Sequence, residues 1–151
     1  MKKFLIILFL FVSNCGYQPL YVDTSNKKLI FQEINLQGDK KINRKIISAL
    51  NISKSSNDAN FEELFLNSKK NTQVTSKNSK GEVISYKMTI EVNLVVKKKD
   101  EKERGKSFNV DFSYNTKENK FDLAEYENQI QNNLIKQIIE NMIIYINLKW
   151  F

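Results

Sequence analysis

A single thiol, on Cys15, is the most reactive side chain in this sequence of 151 residues, which contains no histidine. With one cysteine and no imidazole the chain has no internal disulfide, no Cys/His zinc cluster and no catalytic pair that relies on histidine. Its four glycines form neither a GxGxxG nor a P-loop arrangement, so there is no phosphate cradle of the nucleotide-binding kind. Carboxylates are plentiful but sit singly between lysines or on helix faces, and no acid/base pair stands out among them. The sequence points away from an enzyme. What distinguishes Cys15 is its setting. Lys2 and Lys3 make a basic start, and Phe4 to Val12 form an uninterrupted apolar run. That run is about half of the roughly 20 residues a spanning helix needs. Basic start, short apolar core and small or polar residues after it describe an export signal.

Val12-Ser13-Asn14-Cys15-Gly16 looks like a lipobox, the cleavage site of bacterial lipoproteins. Val12 and Ser13 resemble the usual aliphatic and small residues before the cysteine, while Asn14 stands where Gly, Ala or Ser is usual. The resemblance implies that residues 1–14 are removed and that Cys15 becomes the acylated first residue, its lipid being the only non-protein group expected, with no cofactor and no metal. Several acyl chains give the stable anchoring that one cannot. By analogy with lipoprotein sorting, Gly16 rather than Asp after the cysteine favours the outer membrane. The other readings of these residues are a plain signal with an incidental thiol, or a buried strand of a cytosolic protein.

Lysine and arginine outnumber aspartate and glutamate by 24 to 17, and the net charge of +7 becomes +5 once Lys2 and Lys3 are lost. A basic balance suits phosphates, nucleic acid or an anionic membrane surface. Lys, Asn and Ile crowd every segment, however, as A/T-rich codons would produce. A nucleic-acid role has no recognisable signature here and would have to explain an export signal.

The elements that must position these charges follow from periodicity. Residues 15–28 read as a lipidated tether and 29–151 as a single domain. In "KLIFQEINLQG" Ile30, Ile34 and Leu36 share one face of a first strand, and Gly38-Asp39 supplies a turn and an N-cap for a short helix with Ile42, Ile46, Ile47 and Leu50 at helical spacing. Asn51 to Asn60 is Ser/Asn-rich and reads as a loop. "FEELFLNSKKNTQVTSK" suits helix or strand and is assigned as a strand. Ile84 through Val96 alternates apolar and polar residues, Lys97 to Ser107 breaks the alternation, and Phe108, Val110, Phe112 and Tyr114 resume it, which predicts an antiparallel hairpin with one buried face. A long helix then opens with Asp122 and Glu125 in a capping-box-like spacing and carries Ile130, Leu134, Ile138 and Met142 in a broad stripe. The expected fold is α+β: a two-layer sandwich of about four mostly antiparallel strands with two helices on one face.

"CGYQPLY", "GEVISYKMTIEVNLVV", "FSYN" and a terminal helix introduced by "FDLAEYE", taken in that order, resemble the LPS-assembly lipoprotein family LptE, of an alphaproteobacterial type. The resemblance implies a non-enzymatic outer-membrane lipoprotein on the periplasmic side, which sits in and plugs the β-barrel LptD, supports its assembly and helps deliver lipopolysaccharide outward. Such a role needs cations for phosphates. An antiparallel meander brings the turn between the second and third strands to the same end as the junction between the last strand and the long helix. Lys77, Lys80, Lys117 and Lys120 then gather there as the candidate lipopolysaccharide-contacting residues, against the plainer reading of solvated turns. The run Lys97, Lys98, Lys99, Lys102, Arg104 and Lys106 falls at the other end. Diluted by Asp100, Glu101 and Glu103, it reads as an exposed hairpin tip rather than a headgroup-binding patch. The competing function is a stand-alone periplasmic lipid- or ligand-binding lipoprotein without a barrel partner.

Overall fold

The computed structural model describes residues 28–57, 59, 61–98 and 101–149 and the helical backbone of Trp150. The leader expected over 1–14, Cys15 and the tether up to Lys27 lie outside the described residues. The described chain runs β1 (Leu29–Gly38), α1 (Lys40–Ala49), β2 (Ile52–Lys54), β3 (Phe61–Lys77), β4 (Val83–Lys97), β5 (Arg104–Asn115) and α2 (Lys120–Trp150). The strands form one sheet in the order β2-β1-β3-β4-β5. β1 is parallel to both its neighbours, and β3-β4-β5 is an antiparallel meander. The architecture is the expected α+β sandwich with one strand more than the sequence suggested. β2, inside the segment taken as a loop, pairs only Ile52, Ser53 and Lys54 with Leu29, Ile30 and Phe31. Three residues are too few to display an alternation.

β1, α1 and β2 form a compact crossover. Gly38 ends the strand at φ +81, and a Cβ there would lie 1.8 Å from the Ser68 carbonyl oxygen, so only glycine lets β1 turn this close to β3. Asp39 caps α1 by accepting hydrogen bonds from the backbone N–H groups of Lys41 (2.8 Å) and Ile42 (3.0 Å). Ile42 and Ile46 point into the core with no exposed surface. The apolar face of β1 differs from the expected one. Leu29 and Phe31 are buried, Ile34 is partly buried and Leu36 is 46% exposed. Phe31 stacks on its pairing partner Phe61 at 5.0 Å, whereas farther along it is Ile34 that pairs with the buried Leu64. The inward positions therefore pass from odd to even numbers in both strands over the same stretch. Glu33 and Glu63 are thereby turned from the core.

In β4 the inward residues are Met88, Ile90, Val92, Leu94 and Val96, all buried, as their alternation predicts. The helix α2 covers them with Ile130, Leu134, Ile135, Ile138, Met142 and Ile146. Burying each such side chain contributes about 1.5–3 kcal/mol before entropy is counted. α2 starts at Lys120, earlier than the Asp122 spacing suggested, because Asn119 accepts the Phe121 N–H at 2.8 Å and serves as the cap. The helices run side by side in the same direction, with Lys41 donating to Asn128 (3.2 Å) and Lys45 to Asn132 (2.5 Å).

β3 outruns β1. Their pairing stops at Gly38 and Ser68, and Lys69 to Lys77 continues with β4 on one side and, among the described residues, no strand on the other. The upper part of the molecule is thus a three-stranded prong ending in the β3–β4 turn, its tip. At the opposite end, the foot, lie the start of β1, the β4–β5 connection and the last turn of α2, where Arg104 Nη1 donates to the Lys149 carbonyl at 2.7 Å.

Candidate functional site

The tip is built by two connections. In the β3–β4 turn Asn78 Oδ1 accepts from the N–H groups of Lys80 (3.0 Å) and Glu82 (2.9 Å), and Asn78 Nδ2 donates to Glu82 Oε2 at 2.7 Å. Gly81, at φ +83, closes the loop through its N–H to the Asn78 carbonyl. An asparagine that satisfies two backbone donors holds a defined turn, so Lys77 and Lys80 project from a fixed base. The β5–α2 junction is tied to the same end, since Thr116 N–H donates to the Ile84 carbonyl at 2.8 Å. Lys117 lies with its Nζ 4.5 Å from the Tyr126 ring centroid, a cation–π contact, and Lys120 begins α2.

All four predicted lysines are exposed and stand at one end of the sheet, two on each connection. Among the described residues none of them is in an ion pair; the pairs present involve Lys87, Lys97, Lys98, Arg104 and Lys136. Their charges are therefore free for an outside anion. The first turn of α2 adds the positive end of a helix dipole.

Beneath the lysines lies a feature the sequence did not reveal. Tyr86 stacks on Tyr114 (5.6 Å), and Tyr114 meets Tyr126 edge-on (6.0 Å), forming an aromatic ladder from β4 through β5 to α2. Tyr114, only 4% exposed, donates its hydroxyl proton to Glu127 Oε1 at 2.6 Å. Burial, and then this bond to a carboxylate, push its phenol well above the usual tyrosine range. The ladder stiffens the base of Lys117.

The tip also bears exposed apolar surface: Val74 (47%), Ile84 (41%), Phe112 (46%) and Phe121 (74%). Alternation alone assigned Ile84 and Phe112 to the buried face. The structure leaves them partly bare on the prong, which β1 and α1 do not reach, so the helix layer there is α2 alone, and Phe112 lies on β5, the edge strand. The sequence signal that could have found this is length: β3 and β4 have 17 and 15 residues and β1 has 10, so the excess lacks cover. Lysines beside exposed aliphatic and aromatic groups suit an amphiphile that carries anionic groups next to acyl chains.

A family model matches most of the chain, and one solved structure shares this architecture. A family model described as "LptE: Lipopolysaccharide-assembly" matches residues 17–146. No curated protein matches the chain by sequence. Among solved structures, the fold is similar to the crystal structure of rare lipoprotein B from Shewanella oneidensis, with a TM-score of 0.59 and 14% identity over 76% of this chain and 93% of that one. A minor lipoprotein from Acinetobacter baumannii, also 14% identical, covers 78% of this chain and 89% of its own, with a TM-score of 0.40.

Proposed function

This chain belongs to the LptE lipopolysaccharide-assembly family, and from that membership we propose that it is a non-enzymatic outer-membrane lipoprotein, held on the periplasmic side by acyl chains on Cys15. In this reading it plugs an LptD-type β-barrel, helps that barrel assemble, and offers lipopolysaccharide a basic edge during delivery to the outer leaflet. The family match over residues 17–146 carries the proposal, because it takes in nearly the whole chain after Cys15. The tip adds chemical support. Lys77, Lys80, Lys117 and Lys120 are exposed and, among the described residues, in no ion pair, and they stand beside apolar groups that suit acyl chains. Lipid-linked phosphates are dianionic or monoanionic oxygen clusters, for which ammonium groups are point-charge partners.

Two measurements test the reading. Affinity purification of the native protein from membranes should bring down a large outer-membrane β-barrel. Its absence would leave a stand-alone lipid-binding lipoprotein. Replacing Lys77, Lys80, Lys117 and Lys120 together with Gln should weaken lipopolysaccharide binding by about tenfold or more, the effect of losing several charge-assisted contacts of 0.5–1 kcal/mol each. Barrel co-purification should survive that change. Unaltered lipopolysaccharide affinity would remove the tip from the mechanism.

A further inference from the structure

The outward face of α2 changes character near the foot. Along its middle this face is polar, with Asn133, Lys136, Gln137, Glu140 and Asn141. In the last two turns it becomes Ile144, 54% exposed, and Leu148, 75% exposed, one turn apart on the same side of the helix. The inward side there is already filled by the buried Met142 and Ile146, so the helix is apolar on both faces at this end. Together Ile144 and Leu148 make an apolar patch at the end of the helix. No described helix is long and apolar enough to cross a membrane.

Three further observations say what covers it. The foot is the end at which the chain enters the fold, through Lys28 and Leu29, so the segment that begins at Cys15 leads to this end and not to the tip. The β4–β5 connection beside the stripe carries Lys98 and Arg104, both paired with Glu101, and Lys102, which is in no ion pair among the described residues, and it is fastened to α2 by the bond from Arg104 to the Lys149 carbonyl. The sequence of the stripe continues Lys149-Trp150-Phe151, a cation followed by two aromatic residues. Aliphatic residues followed in sequence by Lys, Trp and Phe match the boundary between headgroups and acyl chains, and Lys102 and Lys149 beside them match anionic headgroups.

We propose that the foot is a second membrane contact, in which Ile144 and Leu148 sink into the headgroup–acyl boundary of an anionic bilayer while the β4–β5 connection lies on its headgroups. The inference deepens the proposed function, resting on the reading of Cys15 as the anchored residue. It changes the anchor from a loose leash to a fixed seat. A lipidated tether alone leaves the domain free to tumble, whereas two contacts at one end fix the direction in which the tip points.

Trp150 is the only tryptophan in the chain and therefore a built-in depth probe. The purified full protein is mixed with vesicles of phosphatidylethanolamine and phosphatidylglycerol, with and without brominated acyl chains, and attachment is followed separately by flotation. Trp150 emission should shift to the blue and fall by about half or more on brominated vesicles. It should recover when Ile144→Gln and Leu148→Gln are combined, although that variant keeps its circular dichroism, its unfolding midpoint and its flotation. Omitting phosphatidylglycerol should reduce the quenching. Unquenched Trp150 in protein that floats would overturn the proposal, as would a concentration-dependent dimer that alone shields the stripe. Protein that fails to float would refute the reading of Cys15. Quenching by excess vesicles would then still support the foot contact, and its absence would overturn that too.

Discussion

Two glycines with nearly the same backbone angle provide a matched pair for testing how the fold is closed. Gly38 and Gly81 have φ of +81 and +83, so an L side chain meets the same intrinsic penalty at either, about 1–2 kcal/mol. Their surroundings differ. A Cβ on Gly81 meets nothing within 4 Å, while one on Gly38 would stand 1.8 Å from the Ser68 carbonyl oxygen and 2.9 Å from its carbon. That carbonyl belongs to a paired strand and accepts the Asp39 N–H at 2.9 Å, so it has no free direction in which to retreat. Relief requires prying β1 from β3. The peptide hydrogen bond from Asp39 is then lost, at about 1 kcal/mol, and so is the buried pair between Ser68 Oγ and Asn43 Oδ1, 2.7 Å apart, at about 1–3 kcal/mol. Gly81→Ala should therefore cost about 1–2 kcal/mol and Gly38→Ala about 3–6 kcal/mol, a large share of the roughly 5–15 kcal/mol that holds a domain together. Urea unfolding of both variants, analysed at a common slope, reads the difference directly. If the two midpoints fall together, the close approach at Ser68 is not what fixes the β1–α1 corner.

Other substitutions probe the remaining parts. Ile138→Ala, at a position with no exposed surface under α2, should lower stability by about 2–5 kcal/mol in the same assay. Asp39→Ala removes both N-cap bonds and should cost about 1 kcal/mol, with Asn in its place nearly neutral. Tyr114→Phe should cost about 1–3 kcal/mol at neutral pH through the bond to Glu127. Because the folded phenol is held protonated beyond the point near 10 where an unfolded tyrosine ionises, its contribution is complete below pH 10 and lost as pH rises. The gap between wild type and Tyr114→Phe in pH-dependent unfolding should therefore shrink above about pH 10, and a gap that widens there would contradict the buried-phenol assignment.

The elements most legible in the sequence were those that bury one face along their whole length. Met88 through Val96 alternates without a break, and the stripe from Ile130 to Met142 recurs turn after turn, so β4 and α2 followed from spacing alone. Gly38-Asp39 announced the start of α1 because turn and cap chemistry are local. What failed was non-local. β2 exists only because β1 lies beside it, and the inward face of β1 changes parity together with that of β3, a cooperation between strands distant in sequence. The four lysines were placed at one end by connectivity, which a meander dictates. The bare apolar groups among them were not, since exposure at Ile84 and Phe112 depends on how far the sheet and the helix layer extend around them.

The overhang of β3 restricts where the prong can go. From Lys69 to Lys77 a row of peptide N–H and C=O groups faces outward, and Lys69, Lys70 and Lys77 discourage a stray strand from docking there. In water these groups are hydrated at no cost, whereas in hydrocarbon each would forfeit several kcal/mol. The prong is thus confined to wet surroundings such as an aqueous pore. Fatty tails can brush its apolar spots but cannot engulf it.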